Sequence, residues 1–230
     1  MTGPGGGPGD TGGMASKQLR VLVEAAPKKV FVVALDWPGL ARWGKDEGLA
    51  VESLIEHLPR YAVVAREAGE AFDVDDAELD VVERHEGGAG TAFGVPGVIG
   101  DADRERVTAT EAKRQAALVA ASWTVFDRVA KAAPEELRKG PRGGGRDRTK
   151  MVGHVNEADA AYARELGLRH DPKDRTAVLA MRRAMLEVLD RASDGSPVNG
   201  RKWTPRYAAR RIAWHALDHA WEIEDRSEPA

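Results

Sequence analysis

From residue 109 onward the chain repeats one pattern: apolar residues spaced by threes and fours, closed each time by a proline or glycine breaker. Residues 109–132 set Ala, Leu, Val, Trp and Phe among charges at helical period, and Pro134 follows. Residues 149–166 carry Met151, Val155, Ala158 and Tyr162 on one stripe. Asp171-Pro172 opens a third stretch over 173–192, whose inner face holds Val178, Met181, Met185 and Leu189, and Asp194-Gly195-Ser196-Pro197 breaks it. The last runs over 204–225, with Pro205 suited to a helix's first turn, where the missing N–H has no partner to lose. Apolar stripes must be buried against something, and four such helices with short connections predict an all-α four-helix bundle over 106–230.

The first half differs. Residues 1–16 (MTGPGGGPGDTGGMAS) hold too little apolar matter to offset ordering and read as a disordered leader, with Met14 a second candidate start. Residues 28–35 are a β-branched run that ends at the turn Asp36-Trp37-Pro38-Gly39. Ala50, Leu54, Leu58, Tyr61 and Ala65 then recur at helical spacing, with Pro59 predicted to end or kink the helix near His57. Two further strands are predicted, around Leu79–Arg84 and Thr91–Val95, joined by a loop over 85–90. The expectation is a small α+β module over 17–105, so the whole reads as an α+β N-terminal module followed by an all-α four-helix bundle.

The chain has no cysteine, which excludes disulfides, thiolate zinc sites and a Cys nucleophile. Any metal must be held by nitrogen or oxygen, and any thiol chemistry needs a thiol from outside. A net charge of −3 argues against a general nucleic-acid binder. No apolar run approaches the roughly 20 residues of a membrane span. The cytoplasm is the default location.

Six histidines are available. His215 and His219 are four apart on the final helix, so their rings stack one turn apart on one face and can reach one ion. The residue after His215 is Ala216, so this is not the HExxH protease pattern and lacks its general base. A third ligand must come from another element. His154 is the best placed, lying on a strongly helical stretch of the same half. Spacing alone leaves the alternative of three ordinary surface or core histidines, and Trp214 and Trp221 read as core packing. Asp218, Glu222 and Glu157, each three residues from a histidine, are candidates to accept a ring N–H or to form a solvated charged face. Arg211, on the His215 stripe, is placed either to hold a substrate carboxylate or to pair with Asp218 or an acid from another helix. The loop Pro141–Arg148 exposes three glycine N–H groups beside Arg142, Arg146 and Arg148, which makes it either an anion cradle or a flexible basic linker. The Gly88–Gly97 tract is not GxGxxG, because Gly94 is four after Gly90.

The stretches MVGHVNEADAAYARELG, with His154, and RRIAWHALDHAWEIEDR, with His215 and His219, resemble the DinB-like metal-binding superfamily. The resemblance covers about residues 108–226. It implies a four-helix bundle with one His on the second helix and HxxxH on the last, all three binding one divalent ion. It also implies transfer or isomerisation with a low-molecular-weight thiol such as mycothiol. FVVALDWPGLARWGKDEGLAVESL is similar to the HicB-like module, a fold expectation with no function attached. Three imidazoles suit Zn, the default, with Ni, Fe or Mn as alternatives. Three protein ligands leave a position open, the arrangement of a catalytic site. On this reading Arg211, Asp218 and Glu222 serve the reaction and Arg142, Arg146 and Arg148 a cosubstrate. The partner is a small molecule, with neither nucleic acid nor membrane, and a homodimer stays open. The rivals are a non-catalytic metal-binding protein and an interaction scaffold.

Overall fold

The computed structural model describes residues 18–73, 77–139 and 145–227. The leader expected over 1–16 and part of the basic loop, Arg142 included, lie outside the described residues.

Strands β1 (Gln18–Ala26) and β2 (Lys29–Ala34) form an antiparallel hairpin, and β3 (Ala41–Gly44) adds antiparallel to β2. Helix α1 (Glu47–Glu67) crosses the sheet, and β4 (Glu78–Glu86) returns parallel to β1, giving the mixed order β3-β2-β1-β4. Alternate residues divide between two buried faces. Val21, Val23, Val30 and Val32 pack on Leu54, Leu58, Tyr61 and Val64 of α1, while Phe31 and Val33 pack on the opposite side. Burial on both faces explains why these strands are continuous apolar runs rather than alternating ones.

Strand β2 lies where the β-branched run predicts it. The adjoining run Leu19–Val23, which pairs with it as β1, was not anticipated. The strand predicted at Thr91–Val95 is instead a short helix, α2 (Ala89–Phe93), closed by Gly94 at φ 114°. Glu24 of β1 is the cause. Its buried carboxylate accepts from the Thr91 hydroxyl (2.9 Å) and from the N–H groups of Gly97 (3.0 Å) and Val98 (2.8 Å), which fixes this segment on the sheet face. Helix α1 also runs on past Pro59 to Glu67. Pro59 is exposed, while Leu58, Tyr61 and Val64 are held on the sheet, and tertiary packing outweighs the lost backbone bond.

Four long helices follow: α3 (Ala109–Ala132), α4 (Arg148–Glu165), α5 (Arg175–Leu189) and α6 (Pro205–Ser227). Their positions match the breaker pattern closely, but the expected all-α four-helix bundle is not what they build. With α1 and α2 of the sheet-bearing half, the described residues form six α-helices packed into one body of cores. One face of α3 and α6 meets α4 and α5 through Val119, Phe126, Ile212 and Ala216. Another face enters the sheet core, where Ala121, Val125, Leu217 and Trp221 sit with Val21, Val32 and Leu58. Every residue of α6 from Pro205 to Leu217 is buried. A helix buried all round belongs at the centre of a molecule, not at one corner of a bundle. The architecture is therefore α+β, with α6 as the central element.

Salt bridges tie the layers. Arg182 of α5 donates to Asp159 of α4 (3.0 Å) and Asp127 of α3 (3.2 Å), and Arg210 of α6 makes a buried two-pronged bond to Asp103. No described helix is long and apolar enough to cross a membrane.

Candidate metal centre

His154 projects from α4 toward α6, which presents His215 and His219 one turn apart. The ring centroids lie 5.1 Å (His154–His215), 4.9 Å (His154–His219) and 4.6 Å (His215–His219) apart. One ring nitrogen from each falls within 4.8 Å of the others. Two ligands on bonds near 2 Å lie at most about 4 Å apart, so small ring rotations bring the three nitrogens onto a single ion. Among the described residues no fourth His, Asp or Glu joins the three.

Burial grades across the site. His215 is 6% exposed, the His219 side chain 12%, and His154 is half-buried. The ring of Tyr162, two turns beyond His154 on α4, stands perpendicular to that of His215 with the centroids 5.6 Å apart. Burial, then the charges of His219, Arg211, His154 and Arg146, hold His215 well below the ordinary histidine range. Burial, then His219 and Arg146, lowers His154 as well. Both are thus neutral imidazoles at physiological pH, the form that binds metal.

Two observations test whether these residues fit a metal. The first is an orphan: His215 Nδ1 is buried without a hydrogen-bond partner. Buried polar groups are nearly always satisfied, and an ion held between three imidazoles would supply what the chain does not. The second is orientation. His219 Nδ1 lies 3.0 Å from Glu222 Oε2, and Glu222 Oε1 accepts from Arg226 Nη1 at 3.0 Å. Burial opposes ionisation of Glu222, but His219 and Arg226 outweigh it and hold the carboxyl below its ordinary range. An ionised Glu222 accepts a hydrogen bond from Nδ1–H of His219, and the neutral tautomer that this selects leaves Nε2 with its lone pair free. This carboxylate–histidine arrangement is the one that orients metal-binding imidazoles. Arg226 is fixed in turn by the main-chain carbonyls of Arg138 and Arg146 (2.7 Å to the latter). The donor set fits a divalent ion.

The structure separates the other residues predicted for the site. Glu222 is at His219, and Arg211 lies against Tyr162 and Trp214, one turn before His215. Asp218 turns away, accepting from Arg42 of β3 at 3.0 Å. Glu157 is exposed. Arg148 donates to Glu135 (2.8 Å) and to the Ala133 carbonyl (2.9 Å), so it faces α3's C-terminal end. Arg146 is exposed, with its charge in range of His154 and His215. Arg142 lies outside the described residues. Two residues were missed: Tyr162, which the 154–158–162 spacing would have put on the His154 stripe, and Arg226, four beyond Glu222.

Comparison with known protein families, curated proteins and solved structures finds no match. The class that fold and site define is therefore stated by geometry alone: an α+β protein with a three-histidine cluster between its central helix and α4.

Proposed function

We propose that the chain binds one divalent metal ion through His154, His215 and His219, and uses it in S-transfer or isomerisation with a low-molecular-weight thiol of the mycothiol kind. The observation that carries the metal is the convergence of three imidazoles within 4.8 Å, one with an unpartnered buried nitrogen. Zinc is the default ion. When bound, it would act as a Lewis acid and lower the pKa of a thiol or water beside it. Glu222 holds the His219 proton at Nδ1, and the Tyr162 ring stands against His215. The half-buried His154 marks the side from which a small molecule enters. The thiol rests on the DinB-like resemblance of the two histidine stretches together with the absence of cysteine, which makes any thiol external.

The test is consumption of a thiol in the presence of an electrophilic acceptor, with the zinc-loaded protein and a panel of small thiols including mycothiol. Turnover by the wild type, lost in His215→Ala, supports the reading. Equal background rates for both would reject the catalytic part.

A second reading has its own support: the histidines tie α4 to α6, so an ion there serves stability alone. Chelation would then lower the melting temperature strongly, with no thiol turned over.

A further inference from the structure

Five arginines are buried among the described residues: Arg182, Arg206, Arg210, Arg211 and Arg226. Four have carboxylates. Arg182 holds Asp159 and Asp127, Arg206 holds Glu111, Arg210 holds Asp103, and Arg226 holds Glu222. Arg211, 9% exposed, has neither an ion pair nor a hydrogen bond to any described residue, and its Nη1 is sealed from solvent without a partner. Its guanidinium is stacked between two rings, 4.9 Å from the Tyr162 centroid and 4.7 Å from that of Trp214. Those faces stabilise the cation, but they leave the sealed Nη1 without an acceptor. Asp218, the acid nearest in sequence, is engaged by Arg42.

A buried guanidinium without a counter-ion is strongly unfavourable, and a bound anion would supply the missing charge. The planar fork of N–H donors matches a carboxylate in two-pronged geometry. Arg211 is one turn before His215, and Tyr162 touches both, so an anion bound here lies beside the three histidines. We infer that Arg211 anchors the carboxylate of the ligand that occupies this site, which makes the substrate class a carboxylic acid. The assignment of that ligand as substrate rests on the proposed function; the anion site itself rests on Arg211.

The test uses the full chain as wild type, Arg211→Met and Arg211→Lys, titrated with sodium succinate and sodium acetate against sodium chloride at equal ionic strength. Trp214, stacked on Arg211, makes tryptophan fluorescence a readout, with calorimetry beside it. Metal content is measured on every sample, and each titration is repeated after chelation. Saturable carboxylate binding is expected in the wild type, weaker by about tenfold or more in Arg211→Lys and lost in Arg211→Met, with metal content unchanged. The same binding curve in all three proteins would overturn the inference. So would a wild type that shows no saturation, or binding that disappears on chelation yet survives Arg211→Met. If Arg211→Met fails to fold, Arg211→Lys decides alone. A wild type without metal that still binds succinate through Arg211 would reject the metal reading and leave this one standing.

Discussion

At the scale of residues, the site is a chain of dependencies leading outward from three rings. His219 is oriented by Glu222, and Glu222 is held by Arg226. Replacing Glu222 by Gln should weaken metal binding by about 10–100-fold, read by competition with a coloured chelator, while the circular dichroism spectrum stays that of the wild type. Unchanged affinity would mean that Glu222 is a solvated acid with no part in the site. Much of this chain was legible beforehand. His215 and His219 declare themselves by their four-residue spacing, and Glu222 by its three-residue offset. Asp218 offers the same offset from His215, yet a partner from β3 takes it. Helical spacing names the residues within reach of a ring, but a long arginine arriving from another element chooses among them. Arg42 is 176 positions away from Asp218, beyond any local pattern.

At the scale of elements, the helices were the most readable part because breakers and stripes are local. Helix α3 shows why its start is sharp. Thr108 accepts from the Glu111 N–H, and Glu111 accepts from the Thr108 N–H (2.8 Å), so each satisfies a donor the helix leaves open. The Thr108 backbone and hydroxyl bonds, and then Arg206, pull the Glu111 carboxyl down to about 2. The sign follows: the folded state prefers the ionised acid, so this stabilisation is complete above the ordinary glutamate range and is lost as pH falls through about 2. Because Glu111 is largely solvated, Glu111→Gln should lower stability by only about 1 kcal/mol at pH 7. In urea titrations the gap to wild type should narrow steadily from pH 5 to pH 2. A gap constant with pH would show that packing, not the charge, matters at this cap. Pro59 gives an independent test on α1. Its ring is exposed and its helix continues, so Pro59→Ala should raise stability by about 1–3 kcal/mol, seen as a higher melting temperature. The strands were read less well. The run Leu19–Val23 adjoins the glycine-rich leader, β3 has only four residues, and the 91–95 segment owes its helical form to Glu24, far away in sequence.

At the scale of the whole molecule, the sequence suggested two separate pieces, and the structure joins them through α6. The stripe pattern gives each helix one apolar face, which is what a bundle requires. It does not detect that α6 is buried on every side from Pro205 to Leu217, because Arg206, Arg210 and Arg211 look like a solvent face until Glu111 and Asp103 are seen beside the first two. Leu217, fully buried in the sheet core, is the direct probe of this union. Leu217→Ala should lower stability by about 2–5 kcal/mol, with near-UV and far-UV signals still falling in a single transition. Two separated transitions would restore the picture of independent halves. The central claim is that α6 and α4 together hold one divalent ion. It is tested most directly by elemental mass spectrometry on protein purified without a histidine tag, wild type beside His215→Ala. The account predicts about one metal per chain in the wild type, matching its three-ligand stoichiometry, and its loss in the variant. A wild type that holds none, even after reconstitution with Zn, Ni, Mn and Fe, would contradict it.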